Sequence, residues 1–431
     1  MSLVIRAANL WLEAADGVIR ATGAGNPPAA RETFDARDCI AVPGLINCHD
    51  HMYQQATRGY ASREGLFGWL KTLYPVWAGL DVDIVRAAAR FAIGRLLLSG
   101  CTLTSDHHYV FPRGQTGLLE AGIEAARELG IRFQPTRGSM SLGESKGGLP
   151  PDGLVEEEDA ILADCERVIA AYHDPKPGAM CRVGIAPCSP FSVTPQLMKD
   201  SGELARKHGL RLHTHLAETA DEEEFCLAKF GRRPLDLMEE FGWLAGDVWF
   251  AHGVHFDAAE IARLGAARAG VAHCPSSNMR LGAGACPVRE LLKANVPLGL
   301  GCDGAASNED YHLAGELRQA VLLARTRAAL GGDLEAARAL LPEQALAIAT
   351  RGGAEVLGRD DVGALEPGLR ADVALFKVES ELELVLSPPA RAQHVFVEGR
   401  MVVRDGRLLT ADEDELAREL KQASTRLLAH A

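Results

Sequence analysis

Eight short apolar segments recur between Val42 and Gly304, each closed by a polar cluster and followed by a longer helical stretch. They are VPGLINCHDH (42–51), CTLTSDHH (101–108), IRFQPTRG (131–138), CRVGIAPCS (181–189), RLHTHLAE (211–218), VWFAHG (248–253), GVAHCP (270–275) and PLGLGCDG (297–304). Short continuous apolar runs bounded by turn residues read as strands buried on both faces, the habit of parallel sheets. The stretches between them carry helix punctuation. TPQLMKDSGELARKHG opens on Thr194 as N-cap, with Pro195 at the first helical position, and closes on Gly209 as a C-cap. Eight strand–helix units predict an α/β chain with a parallel (β/α)8 TIM barrel over residues 44–362. An open doubly wound sheet ranks lower, because no glycine-rich phosphate turn follows any strand. With 431 residues, 47% of them hydrophobic, the chain can bury such a barrel and a small second domain.

Both ends have a different texture. SLVIRAANLWL near the start, and ALEPGLRADVALF and AQHVFVEGRMVVRDGRLL near the end, read as short strands with glycine turns. They predict a small β-sandwich built from residues 1–43 and 363–431. A helix then closes the chain, with Thr410-x-x-Glu413 as a capping box and Leu416, Leu420 and Leu427 on one face. The long polar stretch 139–153 is a candidate lid or substrate loop, or an ordinary surface loop. The formal net charge of −13, with no block of Lys or Arg, argues against a nucleic-acid polymer as partner. No apolar stretch is long enough to span a membrane. The first residues lack the pattern of a secretory leader, and the ten cysteines form no C-x-x-C pair. A cytoplasmic protein with reduced thiols is expected.

Seven of the fourteen histidines fall at the ends of the expected barrel strands: 49, 51, 107, 213, 215, 252 and 273. That rim is where barrels of this type build their sites. One histidine in an apolar strand is an ordinary core residue; several on one rim are not. Residues two apart on a strand share a face, so His49 and His51 can chelate one ion while Asp50 points away. His213 and His215 share a face in the same way. Glu218 lies just past that strand's end, and Asp303 adds a carboxylate at the last one. Neutral imidazoles plus a carboxylate, with room for water, suit one divalent metal, zinc or alternatively iron(II), in hydrolytic chemistry. Zinc deaminases of an unrelated fold need a C-x-x-C ligand pair, which is absent here.

PGLINCHDHMYQ, HTHLAE, AHGV, AHCPSSNMRLGAG, GLGCDGAASN and GALEPGLRADVALF together resemble the amidohydrolase superfamily, in its cytosine and guanine deaminase-like branch. The resemblance covers essentially the whole chain. It is nearest in kind to the bacterial 8-oxoguanine deaminases, with triazine hydrolases nearby. It implies His49, His51, His215 and Asp303 as metal ligands, Glu218 as proton carrier to a ring nitrogen, and His252 and Asp303 beside the attacking water. Binuclear members use a lysine on the fourth strand, and CRVGIAPCS has none, which favours one metal. The implied substrate is a small heterocycle: 8-oxoguanine, or alternatively isocytosine, guanine or a triazine. A homo-oligomer is implied as well. Gln54 stands where similar enzymes read a ring carbonyl or amine, and its amide offers both donor and acceptor. Arg137 and Ser139 at the third strand's end, Cys188 at the fourth's, His273 and Trp77 are further expected substrate contacts. Arg137 is equally suited to a structural ion pair.

Overall fold

A computed structural model describes residues 2–429. Five strands come first: β1 (Ser2–Ala7), β2 (Trp11–Ala15), β3 (Val18–Gly23), β4 (Glu32–Ala36) and β5 (Ile40–Pro43). Eight parallel strands then close a barrel: β6 (Leu45–Asn47), β7 (Cys101–His108), β8 (Arg132–Ser139), β9 (Gly184–Pro187), β10 (Leu212–Leu216), β11 (Val248–His252), β12 (Gly270–His273) and β13 (Leu298–Leu300). Each falls inside, or within one residue of, one of the eight apolar segments. The barrel closes where Leu300 of β13 pairs with Asn47 of β6. The chain returns to β structure with β14 (Val373–Phe376), β15 (His394–Val397), β16 (Arg400–Arg404) and β17 (Arg407–Leu408).

The non-barrel strands form two sheets, ordered β3-β2-β1-β4 and β17-β16-β15-β14-β5. Ile5, Leu12 and Ile19 of the first meet Ala41, Val373 and Phe396 of the second in one buried cluster. The run IAVPGLIN therefore serves two sheets. Residues up to Pro43 pair antiparallel with β14, and the barrel strand starts only at Leu45. Gly44 between them lies against Thr102, where an added Cβ would stand 2.1 Å from Oγ1. Only a residue without a side chain lets the strand change sheets there. Arg132, at the start of β8, joins the barrel to this second body: its buried guanidinium grips both Asp372 oxygens at 3.0 Å. Such a fork fixes relative orientation as well as contributing attraction.

The closing helix runs Glu413–Leu428, with Leu416 and Leu427 buried. Its cap differs from the expected one. Asp412 is the N-cap and accepts from the Glu415 amide at 2.8 Å, whereas Thr410 donates to the Leu129 carbonyl. Two good capping residues stood two positions apart, and the tertiary hydrogen bond claimed the threonine. Among the described residues no helix is long and apolar enough to cross a membrane.

Candidate metal centre and active site

The histidines converge because their strands end on one rim, and hydrogen bonds decide which nitrogen each presents. His51 Nδ1 reaches the His107 carbonyl at 2.7 Å, and His215 Nδ1 reaches the Cys188 carbonyl at 2.6 Å. A carbonyl only accepts, so both Nδ1 atoms carry the proton and both Nε2 atoms expose a lone pair. His49 is set one step further back. His213 Nδ1 donates to the Trp249 carbonyl at 2.9 Å, so its Nε2 accepts from His49 Nδ1 at 2.8 Å. His49 Nε2 is thereby left bare, and it has no partner in the protein. Burial holds all three imidazoles below the ordinary histidine range, so they are neutral donors.

The bare nitrogens of His51 and His215 face each other at 3.0 Å. Asp303 Oδ1 lies 3.5 Å from His49 Nε2 and 3.4 Å from His51 Nε2. Lone pairs crowded this closely repel one another unless a cation shares them. Ligand nitrogens aimed inward, with their second nitrogens tied to carbonyls, are the arrangement of a metal-binding histidine set. The donor set thus fits a divalent ion. His107 belongs to the same group, with one ligand nitrogen of each member within 4.8 Å of the others, and its Nδ1 has no partner.

Asp303 is held for this task. The Gly304 amide donates to Oδ1 at 2.7 Å, and the Ser277 hydroxyl donates to Oδ2 at 2.6 Å. Burial works against its charge, and these donors, with the Ser307 hydroxyl at 3.2 Å, offset that cost. Its backbone is left-handed (φ 59), as is that of His252 (φ 74), an uncommon state for side-chain-bearing residues and one that gathers at functional sites. His252 gives its Nδ1 proton to Asn278 Oδ1 at 2.9 Å. Its Nε2 then faces Glu218 Oε2 at 3.5 Å and Asp303 Oδ2 at 3.9 Å. Burial, together with the charge of Asp303, pushes the Glu218 carboxyl well above the usual range.

Over this cluster lies a narrow recess. Leu66, Trp69, Leu70, Phe191 and Leu281 make its apolar walls, and Gln54, Tyr109 and Cys188 join the cluster residues as its polar ones. The lining contains no Lys or Arg. Gln54 is fully buried, yet neither atom of its amide has a partner. An unmet buried amide is costly unless something outside the protein meets it. Gly304 makes room for it: a Cβ there would stand 2.0 Å from Gln54 Oε1.

The structure brings His49, His51, His215, Asp303, Glu218, His252, Gln54 and Cys188 together. Other expected contacts lie elsewhere. Arg137 ends β8 facing outward, with its guanidinium paired to Glu156 and Asp164 and stacked on Phe111 at 3.7 Å. Its donor fork is consumed, so the ion-pair alternative is the correct one. Replacing Arg137 with Met is expected to destabilise the fold near the low end of the roughly 3–5 kcal/mol for a broken buried pair, since its partners keep some water contact. The midpoint of urea unfolding should fall while KM is unmoved; a raised KM at unchanged stability would return Arg137 to the substrate. Ser139 offers its carbonyl to the Cys188 amide and does not line the recess. Trp77 is core: it donates to Thr57 Oγ1 at 3.1 Å and lies edge-on to Tyr53, while Trp69 takes the wall position. His273 is buried outside the lining with both ring nitrogens unpartnered. Ser277, Asn278 and Tyr109 escaped the sequence reading. SSN directly after HCP, on the helix Pro275–Arg280, was the available signal for the first two.

The amidohydrolase family model matches residues 40–403. An 8-oxoguanine deaminase of Pseudomonas aeruginosa is 48% identical over 96% of this chain and 93% of its own. Hydroxydechloroatrazine ethylaminohydrolase of a Pseudomonas strain is 38% identical over 90% of this chain and 82% of its own. The zinc complex of atrazine chlorohydrolase from Arthrobacter aurescens superposes with a TM-score of 0.92 at 32% identity, covering 98% of this chain and all of that one. The chain belongs to the amidohydrolase family, and it is a hydrolase.

Proposed function

We propose that the protein deaminates a free aminated nucleobase by hydrolysis, with 8-oxoguanine as substrate and urate and ammonia as products. The observation that carries this reading is the stacking of three layers in one recess. The inward Nε2 atoms and Asp303 lie at the bottom, Glu218 and His252 stand beside them, and an unpartnered Gln54 amide sits between apolar walls. The relative named 8-oxoguanine deaminase supports the choice of base. Walls without a cationic residue suit an uncharged planar ring and give nothing to a phosphate.

His49, His51, His215 and Asp303 would hold the ion, and we favour zinc, as in the atrazine chlorohydrolase complex. When bound, such an ion lowers the pKa of a water from about 15.7 toward about 7, so hydroxide is available near neutral pH. Asp303 takes up the proton of the attacking water at the carboxylate oxygen facing His252. His252 holds the oxygen nucleophile through Nε2. Glu218, kept protonated by burial, delivers its proton to the ring nitrogen next to the amine-bearing carbon. The proton held on Asp303 passes to the amine, which leaves as ammonia, while the added hydroxyl returns a proton to Glu218 and its oxygen stays on the carbon. Gln54 and Trp69 hold the ring edge and face. We also infer a cytoplasmic homo-oligomer: ten unpaired thiols suit a reducing compartment, and assembly is an expectation from the resemblance alone.

Release of ammonia and of alkylamine, each measured separately against 8-oxoguanine, guanine, isocytosine and hydroxylated triazines, tests it. Turnover is expected to be fastest with 8-oxoguanine. Release only from an alkylaminated triazine would favour the second reading, to which the 38% relative points; no release from any would sink both.

A further inference from the structure

Glu218 follows β10 across a sharp turn. Ala217 adopts a left-handed backbone (φ 53), which an alanine enters only when its surroundings compel it. That turn directs two successive amides, those of Ala217 and Glu218, to one side, and adjacent N–H groups of this kind form a small anion-binding nest. Glu222 fills the nest. Its Oε1 accepts from the Ala217 amide at 2.9 Å and its Oε2 from the Glu218 amide at 2.8 Å. Glu222 stands on the first turn of the helix Ala220–Phe230 and is fully buried. A glutamate in that position commonly reaches back to its own helix cap. Here the carboxylate passes Thr219, the cap residue, and serves the two residues before it.

The carbonyl side of the turn is tied to the neighbouring strand. The Gly253 amide donates to the Leu216 carbonyl at 3.2 Å, and the His255 amide donates to the Ala217 carbonyl at 2.9 Å. Both donors flank the exit of β11 that carries His252. The turn is therefore gripped from both sides: by Glu222 on its amides, and by the His252 segment on its carbonyls.

We propose that Glu222 is a positioning residue of the reaction. By locking the left-handed turn at Ala217, it sets where Glu218 presents its carboxyl, and it sets Glu218 relative to His252. The inference rests on the reading of Glu218 as the proton carrier. A glutamate that only capped its helix would affect stability and leave the chemical step alone.

The test is a double-mutant cycle on the metal-loaded enzyme, with kcat, KM, metal per chain and thermal midpoint read for each variant. Glu222→Gln keeps one acceptor and turns an N–H toward an N–H. It is expected to lower kcat by about 10–100-fold, with KM and metal content held within about twofold. In a Glu218→Gln background the same change should cost almost nothing further, because residues acting through one another are not additive. If Glu222→Gln does not fold, Glu222→Asp, which keeps the charge and draws it back by one methylene, should show the same kcat loss. A lowered thermal midpoint with unchanged kcat would overturn the proposal, and so would a loss that multiplies with that of Glu218→Gln. Unchanged turnover in Glu218→Gln alone would instead overturn the reading beneath it.

Discussion

Glu218→Gln is expected to lower kcat by about 10²–10⁴-fold, the range of a general acid–base contribution, while metal content stays that of the parent enzyme. Glutamine keeps the shape of the side chain and cannot carry the proton. Glu218 lies outside the two groups of side chains whose ligand atoms converge, and Oε2 has His252 Nε2 at 3.5 Å. Metal binding should therefore be indifferent to the change. The measurement is ammonia release alongside elemental analysis of the same preparation. Parent-level turnover would remove Glu218 from the chemistry, and loss of metal would make it a ligand instead.

His215→Ala should abolish both metal retention and activity, with turnover falling by at least about 10³-fold as hydroxide near neutral pH is lost. His215 puts a bare Nε2 3.0 Å from that of His51, and its Nδ1 is committed to the Cys188 carbonyl. His213→Ala is the informative contrast. His213 stacks on Trp249 and spends both nitrogens, one on the Trp249 carbonyl and one on His49. It orients a ligand, so its loss should weaken metal affinity by about 10–100-fold, the usual cost of an outer partner. Titration of the metal-stripped proteins compares the two. Greater loss from His213→Ala than from His215→Ala would reverse the assignment between them.

The barrel was legible because eight short segments, each closed by a polar cluster, alternate with longer helical stretches; that the polar residues of CTLTSDHH and RFQPTRGS are buried as well was not. The histidine cluster was legible for another reason: a rim crowded with histidines has no packing explanation. Other features had no local signature. Arg137 and Ser139 end a barrel strand as His252 does, and nothing in the letters TRGS says which way a side chain at a strand end turns. Glu156, Asp164 and Phe111 capture Arg137 on the outside of the barrel. Trp69 and Trp77 stand eight residues apart in one helix, Leu66–Trp77, yet only Trp69 reaches the recess.

Glu222 shows the same limit. In AETADEEEF it is one of four successive acidic residues, Asp221 to Glu224, at a helix start, where negative charge is favourable in any protein. Asp221 and Glu223 satisfy that preference from the same first turn. Only the fold turns the Ala217 and Glu218 amides toward Glu222 and buries its carboxylate there.

By itself the sequence determined what depends on composition and period: a closed parallel barrel, a second body made from both chain ends, and a rim able to hold a divalent ion. Those properties follow from which residues are apolar and at what spacing, and both are local quantities. The tertiary structure decided which nitrogen of each histidine faces inward, which arginine is spent on ion pairs, which tryptophan walls the recess, and how Glu218 is aimed. Each of these depends on carbonyls, amides and carboxylates contributed by distant parts of the chain, and only folding brings them within hydrogen-bonding reach.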